Sequence, residues 1–348
     1  MPDSTNNSNN RNRNILIAVG MVLGVFFLYL AFRDISWQDF VHGLKQVKPI
    51  YLLPATVLIL AIQFVRALRF GVIIRPFCPL RTKVLWDMLN LWGAASMVLP
   101  ARLSEFVRPY LLQQVGASFS SGLGAVMVER FFDLLSLLLL FGLVLWKTPE
   151  AWKYAWLGEA LLLGLVAGYA MVLVTLTWRE KVQALVDRFL SLFPPRAATF
   201  LGGIFHRLLD AFGIMASFKQ AMIIFAYSIF IWTLFSFLTY LFLLAFSIEA
   251  PFLVAITVQV FVCFAIALPS APGFVGTFHA ACRYALALFG IHAVVAVSFA
   301  TVYHLFSVFL GLGLGTLSYF TSEFRFDRWV ITGQAKTDEV DTSLRTVS

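Results

Sequence analysis

From Ala250 to Ser322 the chain runs through 73 residues with a single formal charge, Arg283. An α-helix rises about 1.5 Å per residue and the hydrocarbon core of a bilayer is about 30 Å thick, so about 20 apolar residues make a crossing. This stretch holds at least two crossings, too much apolar chain for one soluble core. The rest of the sequence agrees. Of 348 residues, 60% are hydrophobic and only 13% are Asp, Glu, Lys or Arg, about half the charged share of an average soluble domain. An ordinary cytosolic enzyme is ruled out.

Other apolar runs are read as spans: Ile15–Phe32, Pro49–Val65, Gly122–Trp146, Leu157–Trp178 and Gln220–Ile248, with His292–Phe320 last. Ile15–Phe32 follows Arg11 and Arg13 but ends in bulky residues without a cleavage site, so it reads as a retained helix rather than a signal peptide. Residues 1–14 are Asn/Ser-rich and read as disordered, and residues 321–348 read as a polar tail.

The basic loops give an orientation. Arg66, Arg69, Arg75, Arg81 and Lys83 crowd the segment after the second span. Arg179, Lys181, Arg188, Arg196, Arg207 and Lys219 crowd the longest loop. Both read as cytoplasmic, as do the N-terminus and the C-terminal tail, in a cell (inner) membrane protein. The net charge of +8 reflects this placement rather than nucleic-acid binding, because the basic residues form no single stripe. Within residues 179–219, Val182, Leu185, Val186, Phe189 and Leu190 fall on one helical face, as do Phe205, Leu208, Leu209 and Phe212. They suggest amphipathic helices lying on the inner leaflet.

Parity then constrains two segments. Val84–Ser121 must enter from the cytoplasm and return there, with a break at Pro100. Pro251–Ile291 must enter from outside and return outside, with a break at Pro269–Gly273. The expected fold is an all-α polytopic membrane protein. It has about six full spans plus two Pro-broken hairpins, re-entrant or spanning, in inverted topology, all within one membrane domain of residues 15–320. Paired, Pro-interrupted segments in inverted halves point to a transporter site near the midplane. The two breaks are expected to line one cavity.

Charges inside apolar spans are the candidate site, because each costs several kcal/mol at the bilayer centre. Arg102, Glu105 and Arg108 follow Pro100 on roughly one helix face. Glu129 and Asp133 stand at i and i+4, with Arg130 beside them. Three of each sign suggest one cluster in which the acids hold the arginines. Guanidinium forks match phosphate or carboxylate oxygens. The bland alternative is interfacial snorkelling, strongest for Arg108. The second break, from Pro269 and Ser270 through Gly273 and Gly276 to Thr277, suits a helix start whose free N–H groups favour an anion. A plain loop is the rival reading. His279 lies on its first turn, and His304 matches Arg130 in position within its half. Cys78, Cys263 and Cys282 lack metal-ligand spacing, and no nucleotide-binding motif is present. No cofactor or metal is expected.

Three motifs carry a resemblance: Pro100-Ala-Arg102-Leu-Ser104-Glu105-Phe-Val-Arg108, Glu129-Arg130-Phe-Phe-Asp133, and Leu268-Pro-Ser-Ala-Pro-Gly-Phe-Val-Gly276-Thr-Phe. Together they resemble the flippase-like membrane domain of lysylphosphatidylglycerol synthases, over about Ile15 to Phe320. That domain also occurs alone. It usually has Gly where Ser104 stands, and often Glu near His279 and Arg near His304, so the second half here carries less charge. The aminoacyl-transferase domain of those synthases is not seen, and lipid aminoacylation is not implied. The resemblance implies movement of a polar-headed lipid between leaflets, with a membrane lipid as substrate. Two other readings stand beside it: an integral-membrane lipid-phosphate transferase, and a non-transporting partner of a lipid-modifying enzyme. A homodimer is a further expectation.

Overall fold

A computed structural model describes residues 21–99, 103–194, 201–202, 205, 213, 217–267 and 271–324. Arg102, Pro269, Ser270, both termini and the second amphipathic piece of the long loop lie wholly or largely outside them. Among the described residues the chain is helical, without strands. The helices are α1 (Met21–Phe32), α2 (Trp37–Leu44), α3 (Leu52–Ile74), α4 (Thr82–Val98), α5 (Val107–Gln114) and α6 (Phe119–Lys147). They continue with α7 (Ala155–Thr177), α8 (Arg179–Leu190), α9 (Phe218–Ala245), α10 (Phe252–Ala267), α11 (Thr277–Ala287) and α12 (Ala293–Thr321).

Three of these helical stretches, Pro49–Ile74, Phe218–Ala245 and Ala293–Thr321, are long and apolar enough to cross a membrane. The protein is a multi-pass membrane protein. The outer face of α3 shows why. Leu53, Val57, Leu60 and Phe64 are exposed at helical spacing, a stripe that water would penalise and lipid would not. Its opposite face buries Ala55, Ile62, Phe70 and Ile73.

One expectation is corrected here. The second span does not end at Val65 with a basic loop after it. α3 continues to Ile74, so Arg66 and Arg69 stand within a helix, and Arg69 is 1% exposed. Basic residues mark a loop only if the apolar run stops at them, and here it resumes with Ala67, Leu68, Phe70, Val72, Ile73 and Ile74.

α4 rises from Thr82 and breaks after Leu99, and the chain returns through a 3-10 turn at Leu103–Phe106 into α5. At eight residues, α5 is about 12 Å long and far short of a crossing. The Cys78 thiol just before α4 donates to the carbonyl of Val115 just after α5, at 3.4 Å. The chain has therefore come back to where it started. α10 and α11 also pack on each other.

α4 and α12 pack extensively, and Gly315 of α12 makes that approach possible. A Cβ there would lie 2.2 Å from the Cβ of Ala94, which is closer than atoms can come. Ser318 meets Asn90 in the middle of α4, and Thr321 meets Lys83 at its start. At the other end, the N–H of Lys48 before α3 donates to the carbonyl of Ala245 closing α9. α1 lies against the second break. Gly276 has a φ of 88°, and a Cβ there would stand 2.1 Å from the Gly24 carbonyl oxygen. Both the backbone conformation and the space exclude a side chain. Arg283 then fastens the end of α1, donating to the carbonyls of Leu30 and Ala31 and to the Asp34 carboxylate. That hydrogen bond holds the Asp34 carboxyl below its ordinary range.

Gly276→Ala is expected to lower stability by about 3 kcal/mol or more, by adding left-handed strain to a backbone clash. Thermal unfolding in detergent reads it. A variant within about 0.5 kcal/mol of the wild type would mean that α1 does not depend on this contact.

Candidate functional site

Six elements converge on one charged cluster. Glu129, Arg130 and Asp133 share about one turn of α6, and Arg66 and Arg69 lie one turn apart on α3. Glu105 comes from the 3-10 turn, Arg108 from the start of α5 and Trp92 from α4. Ser228 and Trp232 come from α9. The i, i+3 and i, i+4 spacings put each set on one helix face.

Arg108 is fully buried between the rings of Phe70 and Trp92, at 5.1 and 4.5 Å from their centroids. Its Nη1 donates to Glu129 at 2.8 Å, and its Nη2 to Glu105 at 3.2 Å. Arg69 donates from Nη1 to Asp133 and to Ser228, and its Nη2 meets Glu129 at 3.1 Å. Arg130 donates to Glu129 at 2.9 Å and faces Asp133 at 3.5 Å. The indole N–H of Trp232 also donates to Asp133, at 3.2 Å. Both oxygens of Glu129 and of Asp133 are thus engaged by cations. A buried ion pair offsets its desolvation only with this degree of hydrogen bonding.

Arg66 differs. Its Nη1 donates to the Gln63 amide oxygen at 2.8 Å, and its guanidinium lies 4.7 Å from the Trp92 ring centroid. It has no carboxylate partner among the described residues. Four guanidiniums (Arg66, Arg69, Arg108, Arg130) against three carboxylates (Glu105, Glu129, Asp133) leave the described cluster with one net positive charge.

Beside it opens a cavity of about 300 Å³. Arg66, Arg69, Arg130 and Asp133 line it, with Trp92 and Gln259 among its other walls. Glu129 and Arg108 sit behind this lining and brace it. The wall draws on α3, α4 and α6 and equally on α9, α10 and α12.

The second break builds a different space. Gly273, His279 and His304 line a cavity of about 650 Å³ closed on one side by Val25, Leu28 and Phe32 of α1. Gly273 takes a φ of 66° inside the Pro272–Phe274 turn, and its carbonyl lies 2.6 Å from His304 Nε2. The His279 and His304 rings stand 5.2 Å apart, and Phe278 stacks on His304. Thr277, first in α11, donates its hydroxyl to the Phe274 carbonyl. Gly276 caps that helix without a side-chain hydrogen bond.

The expected single cavity is therefore two adjoining ones with Met97, at the end of α4, in the wall of both. The cause is close packing. The Met97 carbonyl oxygen lies 3.3 Å from where a Cβ of Gly273 would be, so the flanks of the two breaks fill the space between them. Glu105, Arg108, Glu129, Arg130 and Asp133 come together, while Gly273, His279 and His304 gather at the other cavity; Gly276 packs on α1 and Thr277 lines a separate space with Phe27 and Tyr284. Trp92, Gln63 and Trp232 went unread in the sequence, and Arg66 and Arg69 were read as loop residues rather than as part of the site. The signal for the two arginines was available: Pro49–Ile74 is 26 residues long, with two charges one helical turn apart.

Among the described residues no group of His, Cys, Asp and Glu is placed to hold a metal ion. A family model described as the lysylphosphatidylglycerol synthase TM region matches residues 17–315. No curated protein and no solved structure matches the chain.

Proposed function

We propose, from the premise that the chain belongs to the lysylphosphatidylglycerol synthase transmembrane-region family, that it moves a polar- or phosphate-headed lipid between leaflets. The family ties the chain to membrane lipid. The observation that carries the reading further is the arginine-lined cavity walled by α3, α4, α6, α9, α10 and α12. Intramembrane charges are costly and mark substrate pathways, and guanidiniums facing a cavity offer forked donors to a headgroup phosphate. The lipid's chains remain in the bilayer beside the exposed apolar helix faces.

In this reading the two broken hairpins form an inverted pair. The α4–α5 hairpin opens toward the cytoplasm and α10–α11 toward the outside, each gating one leaflet, with both termini cytoplasmic in the cell membrane. Several supports combine: α5 is too short to cross, its hairpin closes on its own starting point through Cys78 and Val115, and the breaks adjoin through Met97 and Gly273. The protein acts as a transporter rather than an enzyme.

Proteoliposomes with fluorescent lipid in both leaflets test the reading. Protein-containing vesicles are expected to expose the inner-leaflet lipid to a membrane-impermeant quencher. Quenching that stops at the outer leaflet, as in protein-free vesicles, would overturn it.

A further inference from the structure

The carboxylates of the cluster are spent on its own arginines. Asp133 accepts from Arg69 and Trp232 and faces Arg130, while Glu129 takes Arg69, Arg108 and Arg130. The donors are not spent. Arg66 has no carboxylate and faces the cavity. Arg130 faces it too, with its side chain 39% exposed and its Nε without a partner. The Trp92 indole N–H in the same wall is also buried and unpartnered. Three guanidiniums and one occupied carboxylate line this space. An ammonium headgroup entering it would meet repulsion and find no free acceptor of opposite charge, whereas an anion would meet ready donors in a low-dielectric setting.

We infer that this cavity selects lipids whose headgroup carries net negative charge, a phosphodiester without a compensating amine, and that Arg66 is the residue that reads that charge. The inference rests on the headgroup reading above and adds to it the sign of the cargo. Gln63 and Trp92 are the positioning residues. Gln63 holds Nη1 by its amide oxygen while its own Nε2 donates to Asn90 at 3.0 Å, and the indole face supports the guanidinium plane. The fork is thereby pre-set, and its remaining donors stay free.

The test is lipid binding, which does not depend on transport. Detergent-solubilised full-length protein is offered phosphatidylglycerol, phosphatidylcholine, a lipid of net positive headgroup charge, and inorganic phosphate. Native mass spectrometry reads retained lipid, and thermal unfolding reads stabilisation. The wild type is expected to hold phosphatidylglycerol at least about tenfold more tightly than the cationic lipid, the scale of one charge-assisted hydrogen bond. Arg66→Gln breaks no ion pair and is expected to fold and to lose most of that preference. Arg66→Lys, which keeps the charge but not the fork, is expected to recover part of it. Equal affinity for anionic and cationic lipid overturns the inference, as does unchanged selectivity in folded Arg66→Gln protein. A response to inorganic phosphate matching that to phosphatidylglycerol makes this a soluble-anion site and overturns the lipid assignment. Anionic selectivity without lipid movement in proteoliposomes removes the transport reading and leaves the charge selection standing.

Discussion

Arg69→Ala is expected to destabilise the protein by about 3–5 kcal/mol, the range for stripping one partner from a buried ion pair. Arg69 is 1% exposed and ties α3 to α6 through Asp133 and Glu129 and to α9 through Ser228. Its loss leaves Asp133, itself buried, with the Trp232 indole N–H and one distant guanidinium, Arg130 at 3.5 Å. Glu129 fares better, because Arg108 and Arg130 still hold it. The penalty therefore concentrates on Asp133, and a second change there should relieve it. Arg69→Ala with Asp133→Asn is expected to lose less than the two single changes added together, a coupling of about 1–3 kcal/mol. Unfolding of the detergent-solubilised variants measures all three. Additive losses would mean that Arg69 and Asp133 act separately, contrary to their geometry.

Why Arg69 was read as a loop residue while Glu129 and Asp133 were read as site residues is a matter of context. Both carboxylates sit deep inside an apolar run, where a charge is conspicuous. Arg66 and Arg69 sit at the head of a dense basic segment continuing to Lys83, where the positive-inside rule gives a ready account of them. That rule counts charges near span ends, and it assigned the end of the second span nine residues early. The helical class and the charges buried along α6 were legible, because each follows from local sequence: apolar length, and a charge misplaced in an apolar run. The partition into two cavities was not. It depends on Gly276 meeting the α1 backbone at Gly24 and on Met97 abutting Gly273, contacts between residues far apart in sequence that no periodicity encodes. The same holds for Trp92. One indole serving three guanidiniums is indistinguishable in the sequence from the other tryptophans of an aromatic-rich membrane chain.

Arg130→Ala is expected to behave in the opposite way to Arg69→Ala, keeping the fold and losing lipid movement. Its side chain is 39% exposed and lines the cavity, so its ion pairs contribute at the scale of partly solvated ones, about 0–1 kcal/mol. Without it, Glu129 keeps Arg69 and Arg108, and Asp133 keeps Arg69 and Trp232. No carboxylate is left bare. A headgroup phosphate, by contrast, loses a guanidinium and with it one or two charge-assisted hydrogen bonds, each about 1.5–3 kcal/mol. Lipid movement in proteoliposomes is therefore expected to fall by at least about tenfold, with the unfolding midpoint close to that of the wild type. Arg130→Lys restores charge without the fork and should recover movement only in part. The two arginines thereby divide structure from cargo binding inside one cluster, and the division is testable because it predicts two dissociated outcomes. Normal movement by a folded Arg130→Ala protein would reduce the cluster to a structural brace and move the headgroup site elsewhere. A variant that unfolds as Arg69→Ala does would mean that Arg130 is part of the brace, and its exposure in the cavity would carry no function.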